Sequence, residues 1–157
     1  MQTTVEMNTK RARAGLIAYA FNATDVRTMA AEGAVPFGHV VVEGTSTRQG
    51  KLPATSGDVV AGICALTQAI ESRVGTAAES YPDEKDINVV NFGSVWAVCT
   101  DTNLPTVNGS VYAVVGTAAA GKLTSSSSGN INLTTKLVVR EVDTVNKLAL
   151  VEFREKV

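Results

Sequence analysis

From Gly38 onward the apolar residues come in short runs. These are Val40-Val-Val42, Val59-Val60, Ile87–Phe92, Val95–Cys99, Val111–Val115, Lys136–Val142 and Lys147–Phe153. Residues that favour turns separate them: Glu43-Gly44, Ser56-Gly57-Asp58, Asn108-Gly109, Ser128-Gly129-Asn130 and Asp143–Asn146. Many short runs rich in valine, with frequent turn signals, predict an all-β fold, a barrel or sandwich of short antiparallel strands.

The first part of the chain reads differently. Residues 1–14 are polar and carry Lys10, Arg11 and Arg13. Leu16–Phe21 then alternates, with Ile17, Tyr19 and Phe21 on one side, a period of two that predicts an extended segment. Residues 22–33 fit either a short helix starting near Asn22 or Asp25 or an irregular chain. The pattern therefore divides the molecule into an N-terminal arm and lead-in, residues 1–33, and a β-barrel domain, residues 34–157. Within the domain, Ile63, Leu66, Ile70 and Val74 have helical spacing between Gly62 and Gly75, although β-branched Ile63, Thr67 and Val74 disfavour a helix. Residues 75–86 have no period and read as a long exposed loop, and Ser125–Ser128 as a polar tip.

Composition narrows the function classes. With 157 residues, 45% apolar and 18% charged, the chain suits one globular domain with a proper core. A net charge of −1 supplies no field that attracts nucleic acid or an anionic membrane. No apolar stretch reaches the roughly 20 residues a bilayer span requires. Met1–Glu6 lacks the basic start and apolar run of a secretory signal, so export is not expected.

The chemistry inventory is thin. His39 is the only histidine and precedes Val40, which suits a satisfied or surface histidine on a strand. Cys64 and Cys99 sit apart in apolar segments, as free buried thiols do, and with one histidine they provide no zinc-ligand spacing. A Ser-His-Asp triad would need His39, and no G-x-S-x-G elbow exists. Asp83-Glu84-Lys85-Asp86 follows Pro82 and reads as a solvated turn rather than paired catalytic carboxylates. No catalytic residue, cofactor or metal is expected, and the chain is not expected to be an enzyme.

One stretch argues otherwise. Gly116-Thr-Ala-Ala-Ala-Gly121-Lys122 fits the phosphate-loop pattern G-x-x-x-x-G-K. Leu123, however, takes the place of the magnesium-binding Ser/Thr, and Thr124–Asn130 is a poor helix start. Residues 38–52, GHVVVEGTSTRQGKL, align with residues 109–123, GSVYAVVGTAAAGKL; Gly, Val and Gly-Lys-Leu coincide. Gly93–Val98 repeats the opening of the second copy. The pattern thus belongs to a recurring β unit in which the glycines make turns.

The stretches AGLIAY, EGAVPFGHVVVEGT, VVAGIC, NFGSVWAVC and VNGSVYAVVGTAAAGKLTS, taken in order, resemble the capsid cement (head decoration) proteins of tailed bacteriophages. Pro36-Phe-Gly38, Gly62-Ile63, Gly93–Trp96 and Gly109–Tyr112 hold the family's recurring positions, over roughly residues 12–153. The Gly62-Ile63 match favours strand over helix for residues 60–70. The resemblance implies an extended arm before a β-barrel. It also implies a homotrimer that binds the outer surface of an assembled head and bridges neighbouring major capsid subunits. The expected partners are the major capsid protein and further copies of the chain, with no nucleic acid and no membrane. The expected location is the virion, with assembly in the host cytoplasm. The alternative is another β-rich virion or surface-binding module (tail, spike or carbohydrate-binding). The candidate partner-binding residues are Lys10, Arg11, Arg13, Ile17, Tyr19 and Phe21. They belong either to a first strand packed on its own barrel or to an arm that fastens to a neighbour.

Lys122→Ala is expected to leave folding unchanged, and calorimetric titration is expected to show no ATP or GTP binding by either protein. Micromolar affinity abolished by the substitution would contradict the repeat-unit reading.

Overall fold

Val40, Val41 and Val42 are all fully buried, although a strand turns successive side chains to opposite faces. Their strand is therefore covered on both sides, and the fold follows from that. The computed structural model describes residues 12–18, 24–67 and 80–157. In chain order the strands are β1 (Asp25–Ala31), β2 (Val35–Pro36), β3 (Val40–Glu43), β4 (Gln49–Lys51), β5 (Val60–Cys64), β6 (Ser80–Tyr81) and β7 (Asp86–Phe92). They continue as β8 (Ser94–Val98), β9 (Tyr112–Ala113), β10 (Leu123–Thr124), β11 (Ile131–Asn132), β12 (Leu137–Asp143) and β13 (Leu148–Phe153). No helix occurs among the described residues, and the all-β expectation holds.

Five strands close a barrel in the order β1-β4-β3-β5-β7. Val41 packs with Met29, Ala31, Phe37, Ala61, Ile87 and Val89. Val40 and Val42 point the other way, into a second core with Val60, Ile63 and Val90. That core is completed by Val95, Ala97, Ala149 and Val151 of the sheet β12-β13-β8, and by Ala113, Leu123 and Ile131 of the sheet β10-β9-β11. The barrel wall is thus shared by two cores. Close packing of this kind leaves little room where strands cross. Gly62 has φ of 151°, and a Cβ there would lie 2.2 Å from the Val90 carbonyl oxygen, so only glycine fits.

Both repeated units are hairpins. β3 pairs antiparallel with β4, Val42 opposite Lys51, and β9 with β10, Ala113 opposite Leu123. The two lie against each other: the Val40 N–H donates to Gly121 C=O (2.8 Å), and the Gly116 N–H to Pro53 C=O (3.0 Å).

Two local readings are corrected, and a third is decided between its two alternatives. Residues 25–31, read as helix or irregular chain, form β1, so the barrel starts inside the segment 1–33. Its inward row ends in buried Met29 and Ala31 but begins with Arg27, which pairs with Glu43 (3.1 Å) at the barrel rim. That polar half hides the alternation. The loop expected over 75–86 is not exposed throughout: Ser80–Tyr81 pairs with Val35–Pro36. Tyr81 is buried edge-on against Phe37, ring centroids 5.1 Å apart. Lastly, Val60–Cys64 is a fully buried strand, as the family resemblance implied, not the start of a helix; residues 68–79 lie outside the described set. The antiparallel expectation has two exceptions among the described residues, the short parallel pair β1–β4 and the parallel bridge between Cys99 and Leu123.

Cys64 and Cys99 are both free and buried. Burial pushes the Cys64 thiol far up and the Cys99 thiol to about 12, so neither is a ready nucleophile. His39 is buried, with its Nδ1 3.1 Å from the Phe37 carbonyl oxygen. Burial holds its pKa below the ordinary imidazole value; the Phe37 bond opposes this and nearby Lys122 adds to it.

Because the folded chain binds the imidazole proton less readily than the unfolded chain, this contribution to stability is complete above about pH 6.5. It is lost as the pH falls below that. The melting temperature of the wild type is expected to fall as the pH drops below about 6.5, and that of His39→Gln to stay flatter there. Parallel curves would contradict the buried neutral imidazole.

Candidate functional site

Among the candidate partner-binding residues, the structure describes Arg13 and Ile17. Lys10, Arg11, Tyr19 and Phe21 lie outside the described residues. Segment 12–18 runs along the edge of β8 and is tied to it by main-chain bonds and one isolated bridge. The Gly15 N–H donates to Trp96 C=O (2.7 Å), the Trp96 N–H to Leu16 C=O (2.9 Å) and the Ala18 N–H to Ser94 C=O (3.0 Å). Ile17 stands opposite Val95 in an antiparallel bridge.

Two glycines let this segment come close. Gly15 has φ of 75°, and a Cβ there would lie 2.6 Å from the Leu66 nitrogen and 2.8 Å from the Cys64 oxygen. Gly38 has φ of 72°, and a Cβ there would lie 2.9 Å from the Gly15 nitrogen. Main-chain bonds then join four elements at one point. The Gly38 N–H donates to Cys64 C=O (2.8 Å), the Val98 N–H to Gly38 C=O (2.9 Å) and the Leu66 N–H to Gly15 C=O (2.9 Å). This close approach accounts for glycine at the centre of the stretches AGL and PFGH.

The side chains divide by face. Ala12, Ala14, Leu16 and Ala18 pack on Trp96, Leu148 and Leu150, the outer face of the sheet β12-β13-β8. The sequence reading picked the other row, the bulky odd positions. The small even positions form the buried row; their spacing was visible, but alanine carries a weak signal. Ile17, on the odd row, is 38% exposed, and Arg13 is half-buried. The segment is therefore docked on its own sheet by one face while presenting Ile17 on the other.

The phosphate-loop pattern is a hairpin turn between β9 and β10. Its amides are committed within the chain: Gly116 to Pro53 C=O, Ala120 to Thr117 C=O, Gly121 to Val114 C=O and Lys122 to Ala119 C=O. The Ala119 N–H donates to Thr117 Oγ1 (3.1 Å). Amides spent in this way are not free to wrap a phosphate. Asp83 closes its own turn, accepting from the Gly33 N–H (2.7 Å) and the Glu84 N–H (3.0 Å). Among the described residues no group of three or more His, Cys, Asp or Glu could hold a metal ion. An open cleft is lined by Thr24, Asp25, Phe92 and Lys156, and in it Asp25 and Lys156 already form an ion pair.

The described residues thus form a β body with a strand-like N-terminal segment laid on its outer sheet. The family model described as structural cement protein (E217 gp24/Pam3 gp6) matches residues 1–154, and the chain belongs to that phage cement family. It is a capsid-stabilising structural protein that associates with capsid proteins in the virion. A solved chain from the capsid of Myoviridae phage XM1 has the same fold, with a TM-score of 0.78 and 20% identity. The match covers 100% of this chain and 99% of that one. No curated protein sequence matches.

Trp96 is the only tryptophan and is 5% exposed beneath segment 12–18. Removing residues 1–18 is expected to shift its fluorescence to the red. It is also expected to lower stability by on the order of 3 kcal/mol, since Trp96, Leu148 and Leu150 become wet. Unchanged emission from the truncated chain would contradict the docking.

Proposed function

We propose that the chain binds the outer surface of an assembled phage head as a homotrimer and fastens neighbouring major capsid subunits together. It does so without catalysis and without contact to nucleic acid or membrane. It joins heads in the host cytoplasm. The observation that supports this reading is the two-faced segment 12–18. Its small residues are spent on the chain's own sheet, which fixes the segment's position, while Ile17 stays exposed; the basic residues Lys10, Arg11 and Arg13 precede it in the sequence. A partner that covers Ile17 gains apolar burial from a segment already ordered, so the cost of ordering it is not paid at docking. Tyr19 and Phe21 follow in the same sequence period and extend the contact. In this reading the arm is the contact element and the barrel, including β1, is the rigid body behind it.

The test is head decoration by variants that spare the buried row. Ile17→Asp, and a chain lacking residues 1–11, are expected to keep the melting temperature within a few degrees. Both are expected to bind undecorated heads about tenfold or more weakly, as loss of a central anchor does. Full-strength decoration by both variants would contradict the arm's role.

A further inference from the structure

His39 is the chain's one histidine, and it is buried where several elements meet. It closes a tight turn. Its N–H donates to Pro36 C=O (3.4 Å), Gly38 holds the third position with φ of 72°, and the ring's Nδ1 lies 3.1 Å from the Phe37 carbonyl oxygen. Other elements hang on this turn. Gly38 donates to Cys64 C=O at the end of β5 and accepts from the Val98 N–H of β8. The Cys64 N–H donates to His39 C=O (2.9 Å), and the Val40 N–H to Gly121 C=O in the hairpin β9–β10. Gly38 also backs the N-terminal segment, since a Cβ there would lie 2.9 Å from the Gly15 nitrogen and 3.1 Å from the Ala14 Cα.

A carbonyl oxygen only accepts, so Nδ1 carries the proton of the neutral ring and acid adds the second proton at Nε2. The imidazolium so formed has little water around it. Lys122, from the hairpin β9–β10, brings a charge of the same sign, and among the described residues no carboxylate acts on the ring. β5 offers Cys64, whose thiol burial keeps protonated. β8 offers Val98, and the segment offers Ala14 and Gly15, none of them charged. Such a charge is relieved by moving its group to water. The bond to Phe37 C=O strengthens when the donor is charged, so the ring leaves together with its turn rather than swinging free of it. Of the elements this turn supports, segment 12–18 is the least held. Three main-chain bonds tie it to β8 and one to Leu66, whereas the barrel and sheets share two cores. Local opening draws on parts held in this way. We propose that His39 is a proton-operated release for the N-terminal segment: in acid the Pro36–His39 turn moves outward and segment 12–18 leaves β8 while the barrel stays folded. The proposal concerns how the segment is held and does not depend on what the segment binds. Opening returns the imidazole to water and to its ordinary proton affinity, so the closed state is complete above about pH 6.5 and weakens as the pH falls below it.

Trp96, the one tryptophan, is buried beneath the segment and reports its departure. The test follows the emission wavelength and the far-ultraviolet circular dichroism of the full chain as the pH is lowered from about 8 to about 5, across the ordinary imidazole range. The emission is expected to shift to the red below about pH 6.5 while the strand dichroism stays unchanged. His39→Gln, which cannot take the proton, is expected to abolish the shift. Proton resonance needs no variant, because the chain has a single imidazole: its ring C–H signal is expected to titrate with the same midpoint as the emission. An emission wavelength that does not move, or moves only together with loss of the dichroism, would overturn the proposal. So would a red shift that persists in His39→Gln, or an imidazole midpoint that differs from that of the emission.

Discussion

The barrel, the outer sheet and the N-terminal segment meet at the backbone crossing at Gly38. There the lead into β3 donates to β5, accepts from β8 and touches the N-terminal segment at Gly15, all through main-chain atoms. Backbones this close exclude any side chain at the crossing, so both glycines take positive φ and neither tolerates a Cβ. The consequence is a mechanical one. The barrel, the outer sheet and the N-terminal segment are joined by bonds whose donors and acceptors would otherwise be buried unpaired, and such groups are costly to leave unmade.

The two cores add rigidity of a different kind. A strand such as β3, buried on both faces, cannot shift register without moving apolar side chains in both cores at once. Edge strands are also managed. The N-terminal segment covers the free edge of β8. β12 carries a register shift between Val139 and Glu141, and beside it the Arg140–Glu152 ion pair (2.6 Å), features that discourage unwanted strand pairing. A body built this way suits a protein whose work is to hold other subunits in place.

How much of this could be read from the chain depended on where the information lay. The strand-rich class was legible because runs such as Val40-Val-Val42 and turns such as Asn108-Gly109 are local signals, and so was the hairpin origin of Gly116–Lys122, through its repeat. β1 was not, because Arg27 faces the barrel rim and breaks the apolar row. β6 was not, because two residues become a strand only by pairing with Val35–Pro36, far away in the sequence. In the N-terminal segment the extended conformation was legible and the buried face was not: Ile17 outweighs Ala14 and Ala18 on any hydrophobic scale, yet the sheet's outer face, filled by Trp96, takes the small residues. Gly15, Gly38 and Gly62 stand where backbones approach too closely for a Cβ, so the glycines of AGL, PFGH and AGIC carry tertiary information within short stretches.

The central claim is that a rigid β body uses its N-terminal segment to bind capsid subunits together. Cryo-microscopy of decorated heads tests it most directly. The account predicts density for each body across the boundary between major capsid subunits, with the Ile17 edge of segment 12–18 turned into that contact. Bodies that each touch a single subunit, or an Ile17 edge facing solvent, would contradict it.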